Sequence, residues 1–160
     1  MILDWLQVLE ESRLGDLIRE VAFPYVETVH VLALALSVGT VGWFDLRLLG
    51  AAMRARPVSE VFTSVKVWML IGFGLMFVSG ALLFIADATD AYQNTYFRAK
   101  VVLLGLAGLN ALVFHLTVGR CTVHWNHAAV PPRAARVAGL LSLILWGSVI
   151  AVGRIFAYDL

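Results

Sequence analysis

The sequence has little cysteine and little charge. Cys121 is its single cysteine, so the chain cannot form an internal disulfide, a multi-cysteine metal site or a CxxCH heme attachment. Charged residues make up 14% of the chain and the net charge is +1, which gives no basis for binding nucleic acid. The segment from Val67 to Ala86 carries no charged side chain. Together these features favour a membrane protein over a soluble one.

The rest of the composition is strongly apolar. Hydrophobic residues make up 61% of the chain and the mean hydropathy is +0.85, whereas apolar residues are about half of a soluble domain. Four stretches have the length of about 20 mostly apolar residues that crosses a bilayer. They cover 24–47, 62–86, 98–119 and 135–157. We therefore predict an all-α fold, an integral membrane four-helix bundle that forms a single domain over 1–160.

The first 22 residues have a different character. They carry five acidic residues and no basic segment ahead of an apolar core, which argues against a signal peptide. Their leucine, isoleucine and valine residues recur at mainly helical spacing, and Trp5 suits a membrane interface. We predict an amphipathic interfacial helix over 3–21, with a frayed acidic tail as the alternative.

Basic residues are distributed unevenly along the chain. Seven lie beside the loops that join spans one to two and three to four, against five on the side of the termini. Because Lys and Arg favour the cytoplasmic side, we expect both termini outside, in the periplasm if the membrane is a bacterial inner membrane. All four tyrosines then fall near the outer interface, where aromatic side chains are enriched.

Ionisable residues inside the apolar runs are the candidate functional residues, because a charge at membrane depth is costly. Glu27 and His30 lie one turn apart near the outer end of the first span. Lys100 and Arg154 have a similar depth on the third and fourth spans, whereas His115 lies toward the cytoplasmic end. At 1.5 Å of rise per residue, the two histidines differ in depth by roughly 15 Å. They therefore cannot bind one metal ion within one chain.

Some of the polar residues have simple structural explanations. Long basic side chains near helix ends reach out to the interface, and this explanation is expected for Arg47, Lys66, Arg98 and Arg120. His124 and His127 are expected to be loop residues, and a structural His30–Glu27 hydrogen bond is an alternative to a functional role.

Small residues form stripes on the spans. Ala107, Gly108 and Ala111 share one side of the third span. Because small residues let helices approach closely in lipid, this stripe is expected to face the inside of the bundle.

Axial ligation of heme iron is the chemistry that fits His30. A neutral imidazole in a helical bundle is a good axial ligand, and the two heme propionates need basic partners. Lys100, Arg154 and Arg98 lie at the level of His30 and supply that charge. His115 is a candidate ligand for a second heme, so we expect one or two b-type hemes with His30 and His115 as metal ligands.

The sequence leaves three alternatives for the second axial position of the heme iron. Met76 is chemically suitable but lies deeper in the membrane, and Lys100 lies at the right level but must be deprotonated to coordinate. An open coordination site is the third alternative.

The first span, HVLALALSVGTVGWFDLRLLG, resembles the opening helix of two related groups of small bacterial membrane proteins. These are the heme-binding, four-helix type of protoporphyrinogen oxidase and the membrane domain of copper-resistance D-type proteins. His30, Gly42, Trp43 and Arg47 match their order of an early histidine, a Trp/Gly segment and a late arginine. The third span, FRAKVVLLGLAGLNALVFH, is similar as well, and the likeness covers about half the chain. The resemblance implies that His30 is a heme ligand and Lys100 a second essential group.

Three functions agree with this pattern. The first is a b-type heme-binding inner-membrane protein that transfers electrons, with quinol, a periplasmic cytochrome or another membrane subunit as its partner. The second is an enzyme that oxidises a porphyrinogen-like substrate. The third is a non-redox protein, either a metal-ion permease or a structural subunit of a membrane complex. The lipid bilayer is an expected partner in all three, and a homo-oligomer or a larger complex is compatible with each.

Overall fold

A computed structural model describes residues 2–158 of the chain. Within that range the backbone is helical and forms no β-strand, which confirms the predicted all-α fold class. The helices are α1 (Ile2–Glu10), α2 (Arg13–Leu17), α3 (Phe23–Leu48), α4 (Val58–Ala86), α5 (Ala88–Gln93), α6 (Thr95–Leu116), α7 (Thr122–Trp125) and α8 (Arg133–Phe156).

Four of these helices lie within segments long and apolar enough to cross a membrane, and they run through Arg13–Leu48, Val58–Ala86, Thr95–Trp125 and Arg133–Phe156. The chain is thus a multi-pass membrane protein. We call the end of the bundle with residues 2–22, 87–94 and 157–158 the terminal end. The opposite end, with the connections 49–57 and 117–132, is the far end.

The surface helix predicted over 3–21 is two helices in the structure. The break falls at Glu11 and Ser12, and the Ser12 hydroxyl caps α2 by accepting a hydrogen bond from Gly15 N–H at 3.2 Å. A π-helical turn, Ile18–Ala22, then leads directly into α3. Helix α2 is therefore continuous with the first span, whereas α1 is a separate helix that packs on α5.

Arg19 and Glu10 fasten α1 to the bundle at the terminal end. Arg19 Nε donates to the carbonyl of Ala86, at the end of α4, at 3.0 Å. The same guanidinium reaches the Glu10 carbonyl at 3.1 Å and the Glu10 carboxylate at 3.7 Å. That carboxylate also accepts from Thr89 N–H at 2.9 Å. Leu6 is buried in this cap.

The four long helices follow the order α4, α3, α8, α6 around the bundle. Extensive packing joins α3 to α4, α6 to α8, and α3 to α8. By contrast, α4 and α6 meet through aromatic side chains near their ends, where Phe62 lies 5.7 Å from His115 and Phe84 stacks on Phe97 at 5.3 Å. The side of the bundle between α4 and α6 is therefore open along its middle.

Arg47 at the far end does not reach out to the interface as expected. Its side chain is completely buried, with 0% exposure. Nε donates to the Arg56 carbonyl and Nη2 to the Ala128 carbonyl, both at 2.9 Å. These carbonyls belong to the two connections at the far end, so one guanidinium ties both of them to the end of α3.

The small-residue stripe of α6 does not face the bundle throughout. Ala107 is buried, but Gly108 and Ala111 are exposed. A Cβ added at Gly108 would meet no atom within 4 Å. This stripe borders the open side of the bundle, so the expectation of close helix packing is wrong for Gly108 and Ala111.

Candidate functional site

His30 lies in the terminal half of the bundle, on the face of α3 that packs on α4. Its side chain is half-buried, and its Nδ1 lies 2.9 Å from the hydroxyl oxygen of Ser79. The imidazole rests against Gly80, where an added Cβ would come within 3.1 Å of the ring. A serine and a glycine on α4 therefore fix the position of this ring.

The hydrogen bonds of Ser79 favour one tautomer of His30. The Ser79 hydroxyl donates to the Leu75 carbonyl at 2.6 Å, so its oxygen is free to accept the proton on His30 Nδ1. An imidazole that carries its proton on Nδ1 has a free electron pair on Nε2. Histidines that bind metals commonly donate their second ring N–H in this way. This arrangement therefore favours the tautomer of His30 that leaves Nε2 free to bind a metal.

Lys100 of α6 is the basic residue that the structure brings to His30. Its charge acts on the imidazole, as does that of Glu27. The Lys100 side chain lies over Gly153 of α8, where an added Cβ would be 3.5 Å from Cε and 3.6 Å from Nζ. No hydrogen bond or ion pair to the Lys100 ammonium is found within residues 2–158. An ammonium group without a hydrogen bond or ion pair favours an anionic ligand.

The two arginines proposed from the sequence lie further out. Arg154 donates to the Tyr158 hydroxyl at 2.8 Å and lies 4.6 Å from the centre of that ring. Arg98 donates to the Tyr92 carbonyl at 2.8 Å and lies 5.2 Å from the Tyr92 ring. Both arginines are exposed at the terminal end and engage tyrosines rather than His30.

His115 occupies a separate place near the far end. It is exposed on α6, and its ring lies 5.7 Å from Phe62 and 5.5 Å from Phe114. The α4 partners of the two histidines, Ser79 and Phe62, are 17 residues apart, which is roughly 25 Å along one helix. The two histidines therefore belong to different regions of the bundle, as their depths in the sequence predicted.

The alternative ligand Met76 is engaged elsewhere. Its sulfur accepts a hydrogen bond from the Ser37 hydroxyl at 3.7 Å in the core. Residues 2–158 contain no group of three or more His, Cys, Asp or Glu side chains that could hold a metal ion. A metal ion at His30 would therefore have to bring most of its other ligands with it.

Two parts of this site could not be found by reading the sequence. Ser79 and Gly80 resemble ordinary packing residues of an apolar span, and only the register of α4 against α3 places them at His30. The sequence does place Ser79 and Gly80 on one face of the second span with Gly72 and Met76, without indicating which helix that face meets. That face does lie toward the bundle interior, because Gly72, Met76 and Ser79 are buried.

Comparison with known proteins assigns the chain to a family without assigning an activity. No curated protein and no solved structure matches the chain significantly. Residues 3–159 match the model of DUF6644, a family of unknown function, and the chain therefore belongs to that family.

Proposed function

We propose that this chain is a b-type heme-binding membrane protein that transfers electrons, with His30 Nε2 as an axial ligand. The observation that carries the proposal is the His30–Ser79 hydrogen bond of 2.9 Å, because it holds the ring in place and favours the tautomer with Nε2 unprotonated. Heme held there would supply a one-electron carrier inside the bilayer. The membrane would be a bacterial inner membrane with the terminal end on the periplasmic side, as the distribution of basic residues favours.

The residues around His30 would have distinct roles. Ser79 would hold the imidazole in its ligating tautomer, and Gly80 would leave room for the ring. Lys100 would pair with a propionate, since its ammonium has no other partner within residues 2–158. Arg98 and Arg154 would receive the second propionate only by leaving their tyrosines. Electrons would be exchanged with a quinol or with a periplasmic cytochrome at the terminal end.

An absorption spectrum tests the proposal. Protein produced with ample heme and purified in detergent should show a Soret band. His30→Ala should abolish the band, and imidazole added to that variant should restore part of it. His124→Ala is the matched control, because His124 is exposed in α7 at the far end and its loss should change nothing.

Two further variants separate ligation from positioning. Ser79→Ala should retain heme with a shifted Soret band, because the ring loses the acceptor that fixes its tautomer. Lys100→Met should weaken heme binding by about 10- to 150-fold without shifting the band, since a charge-assisted hydrogen bond contributes about 1.5–3 kcal/mol. His115→Ala should leave the ratio of heme to protein unchanged. Wild-type protein without a Soret band, or His30→Ala with the wild-type spectrum, would refute heme binding at this site.

A further inference from the structure

The open side of the bundle holds a cavity of about 280 Å³ between α4 and α6. Its lining comes from all four long helices, with α3 and α8 forming the floor and α4 and α6 the two walls. It lies in the middle and far half of the bundle, and its lining includes neither His30, Ser79 nor Lys100. The cavity is therefore separate from the site proposed for heme.

Aromatic rings line the cavity at both of its ends. Phe73 and Trp146 lie 5.3 Å apart and line the part toward the terminal end. Phe62, His115 and Phe114 line the part toward the far end, with ring centres 5.5 and 5.7 Å from His115. Aromatic rings attract other rings in offset or edge-on arrangements beyond the effect of buried area. Such walls favour a flat aromatic ligand over a flexible alkyl chain.

Asp45 gives this apolar cavity a polar floor. Its side chain is 4% exposed and lines the cavity, and the Ser142 hydroxyl lies close enough to interact with its carboxyl group. Its Oδ2 has no hydrogen-bond partner within residues 2–158. A buried polar atom without a partner costs about 1–3 kcal/mol, so a ligand that donates a hydrogen bond to it would bind more tightly.

Asn110 adds a second acceptor to the same cavity. Its Nδ2 donates to the Ala138 carbonyl of α8 at 3.0 Å, which turns the amide so that Oδ1 remains as its accepting atom. Asn110 also lines the cavity. Two acceptors among aromatic walls call for a ligand whose polar groups are donors.

We propose that this cavity binds a membrane-dissolved aromatic molecule with a ring hydroxyl group, which donates a hydrogen bond to Asp45 Oδ2. The volume suits a single substituted ring, since a protein cavity of about 150 Å³ holds benzene. The cavity lies on the side where α4 and α6 separate, so the ligand enters from the lipid and needs no aqueous path.

Equilibrium dialysis of protein in phosphatidylcholine nanodiscs tests this inference, with empty nanodiscs measured alongside to subtract partition into lipid. The probes are tetramethylhydroquinone, which has two ring hydroxyls, and its dimethyl ether, which has the same ring without a donor. The wild-type protein should bind the hydroquinone at least tenfold more tightly than the ether. Asp45→Leu should remove most of that difference, because leucine has a similar shape and no accepting atom.

A glycine pair on α6 supplies the matched variants. Gly108→Leu fills the cavity and should abolish the binding of both probes. Gly105→Leu is the control, because Gly105 is also exposed on α6 with no atom within 4 Å of an added Cβ but does not line the cavity. This variant should bind like the wild type.

Three outcomes would overturn the inference. They are equal affinity for the hydroquinone and the ether, unchanged selectivity in Asp45→Leu, and equal binding by Gly108→Leu and Gly105→Leu. If both probes bind equally and Gly108→Leu blocks them, the cavity is an apolar lipid-chain site. None of these measurements depends on heme, so their failure leaves the proposal for His30 standing.

Discussion

Two helix pairs of the bundle use glycine in opposite ways. On α4, a Cβ added at Gly72 would lie 2.8 Å from the backbone nitrogen of Ser37 on α3, so glycine is needed for the two backbones to pack. On α6, a Cβ added at Gly108 would meet nothing within 4 Å, although α4 is the facing helix. We call these pairs the closed seam, between α3 and α4, and the open seam, between α4 and α6.

The difference shows what a small residue in a membrane helix indicates. Lipid is as apolar as the side chains, so helices associate through close packing and hydrogen bonds rather than through the hydrophobic effect. A glycine tightens a seam only where the partner helix presents its backbone at the same level. At Gly108 no backbone of a neighbouring helix lies that close. The glycine instead forms part of the cavity wall.

We expect the largest effect from Arg47→Met. This variant tests whether Arg47 fastens the two connections at the far end to the end of α3, one of the two helices of the closed seam. The change leaves the carbonyls of Arg56 and Ala128 without their donor. Because hydrogen bonds to a charged group contribute about 1.5–3 kcal/mol each, we expect a loss of about 3 kcal/mol or more in the free energy of unfolding. Thermal unfolding in detergent measures it, and Arg133→Met, at an exposed position at the start of α8, is the control. Equal melting temperatures for the two variants would contradict the role of Arg47.

Gly72→Ala tests the closed seam itself and should have the next largest effect. The new methyl group meets the backbone of Ser37, and overpacking of this kind costs about 1–3 kcal/mol. Gly74→Ala is the matched control on the same helix, because its added Cβ meets no atom within 4 Å. That variant should be neutral or more stable by up to about 1 kcal/mol, since alanine favours helix over glycine. If the Gly72→Ala protein is as stable as the Gly74→Ala protein, the claim that α3 and α4 pack closely at Gly72 is contradicted.

Gly108→Leu should change stability far less, although it adds a much larger side chain. The open seam has room for the leucine, so we expect a change within about 0.5 kcal/mol. Thermal unfolding beside Gly72→Ala gives the comparison directly. A larger loss for Gly108→Leu would mean that α6 packs closely on α4, and the open seam would not exist.

The smallest effect should come from Asp87, which lies outside both seams at the terminal end. Burial raises the pKa of its carboxyl, as do the neighbouring Glu10 and Asp90, while Arg19 opposes the shift. A carboxyl whose pKa is higher in the folded state stabilises the fold below its unfolded pKa of about 4, and this contribution is lost as the pH rises through the folded value. The melting temperature of the wild type should therefore fall as the pH rises from about 4 to 7, and the fall should be smaller in Asp87→Asn. Parallel pH profiles for the variant and the wild type would contradict this assignment.

The sequence predicts the bundle well because length and apolarity alone determine which segments can cross a bilayer. Depth along the spans also predicts that Lys100 lies beside His30 and that His115 does not. Contacts between neighbouring helices cannot be predicted in this way, because a single sequence does not indicate the register of one helix against another. The Ser79 partner of His30, the two carbonyls bound by Arg47 and the unpaired Oδ2 of Asp45 all depend on that register. The prediction that Gly108 packs closely against a neighbouring helix is wrong for the same reason.

The spectrum of purified wild-type protein, recorded oxidised and then reduced with dithionite, tests the central claim most directly. The account predicts a Soret band that shifts on reduction and returns on reoxidation, with both the band and the shift absent from His30→Ala. A wild-type protein made with ample heme that has no such band, or a His30→Ala protein that keeps the reversible shift, would contradict it.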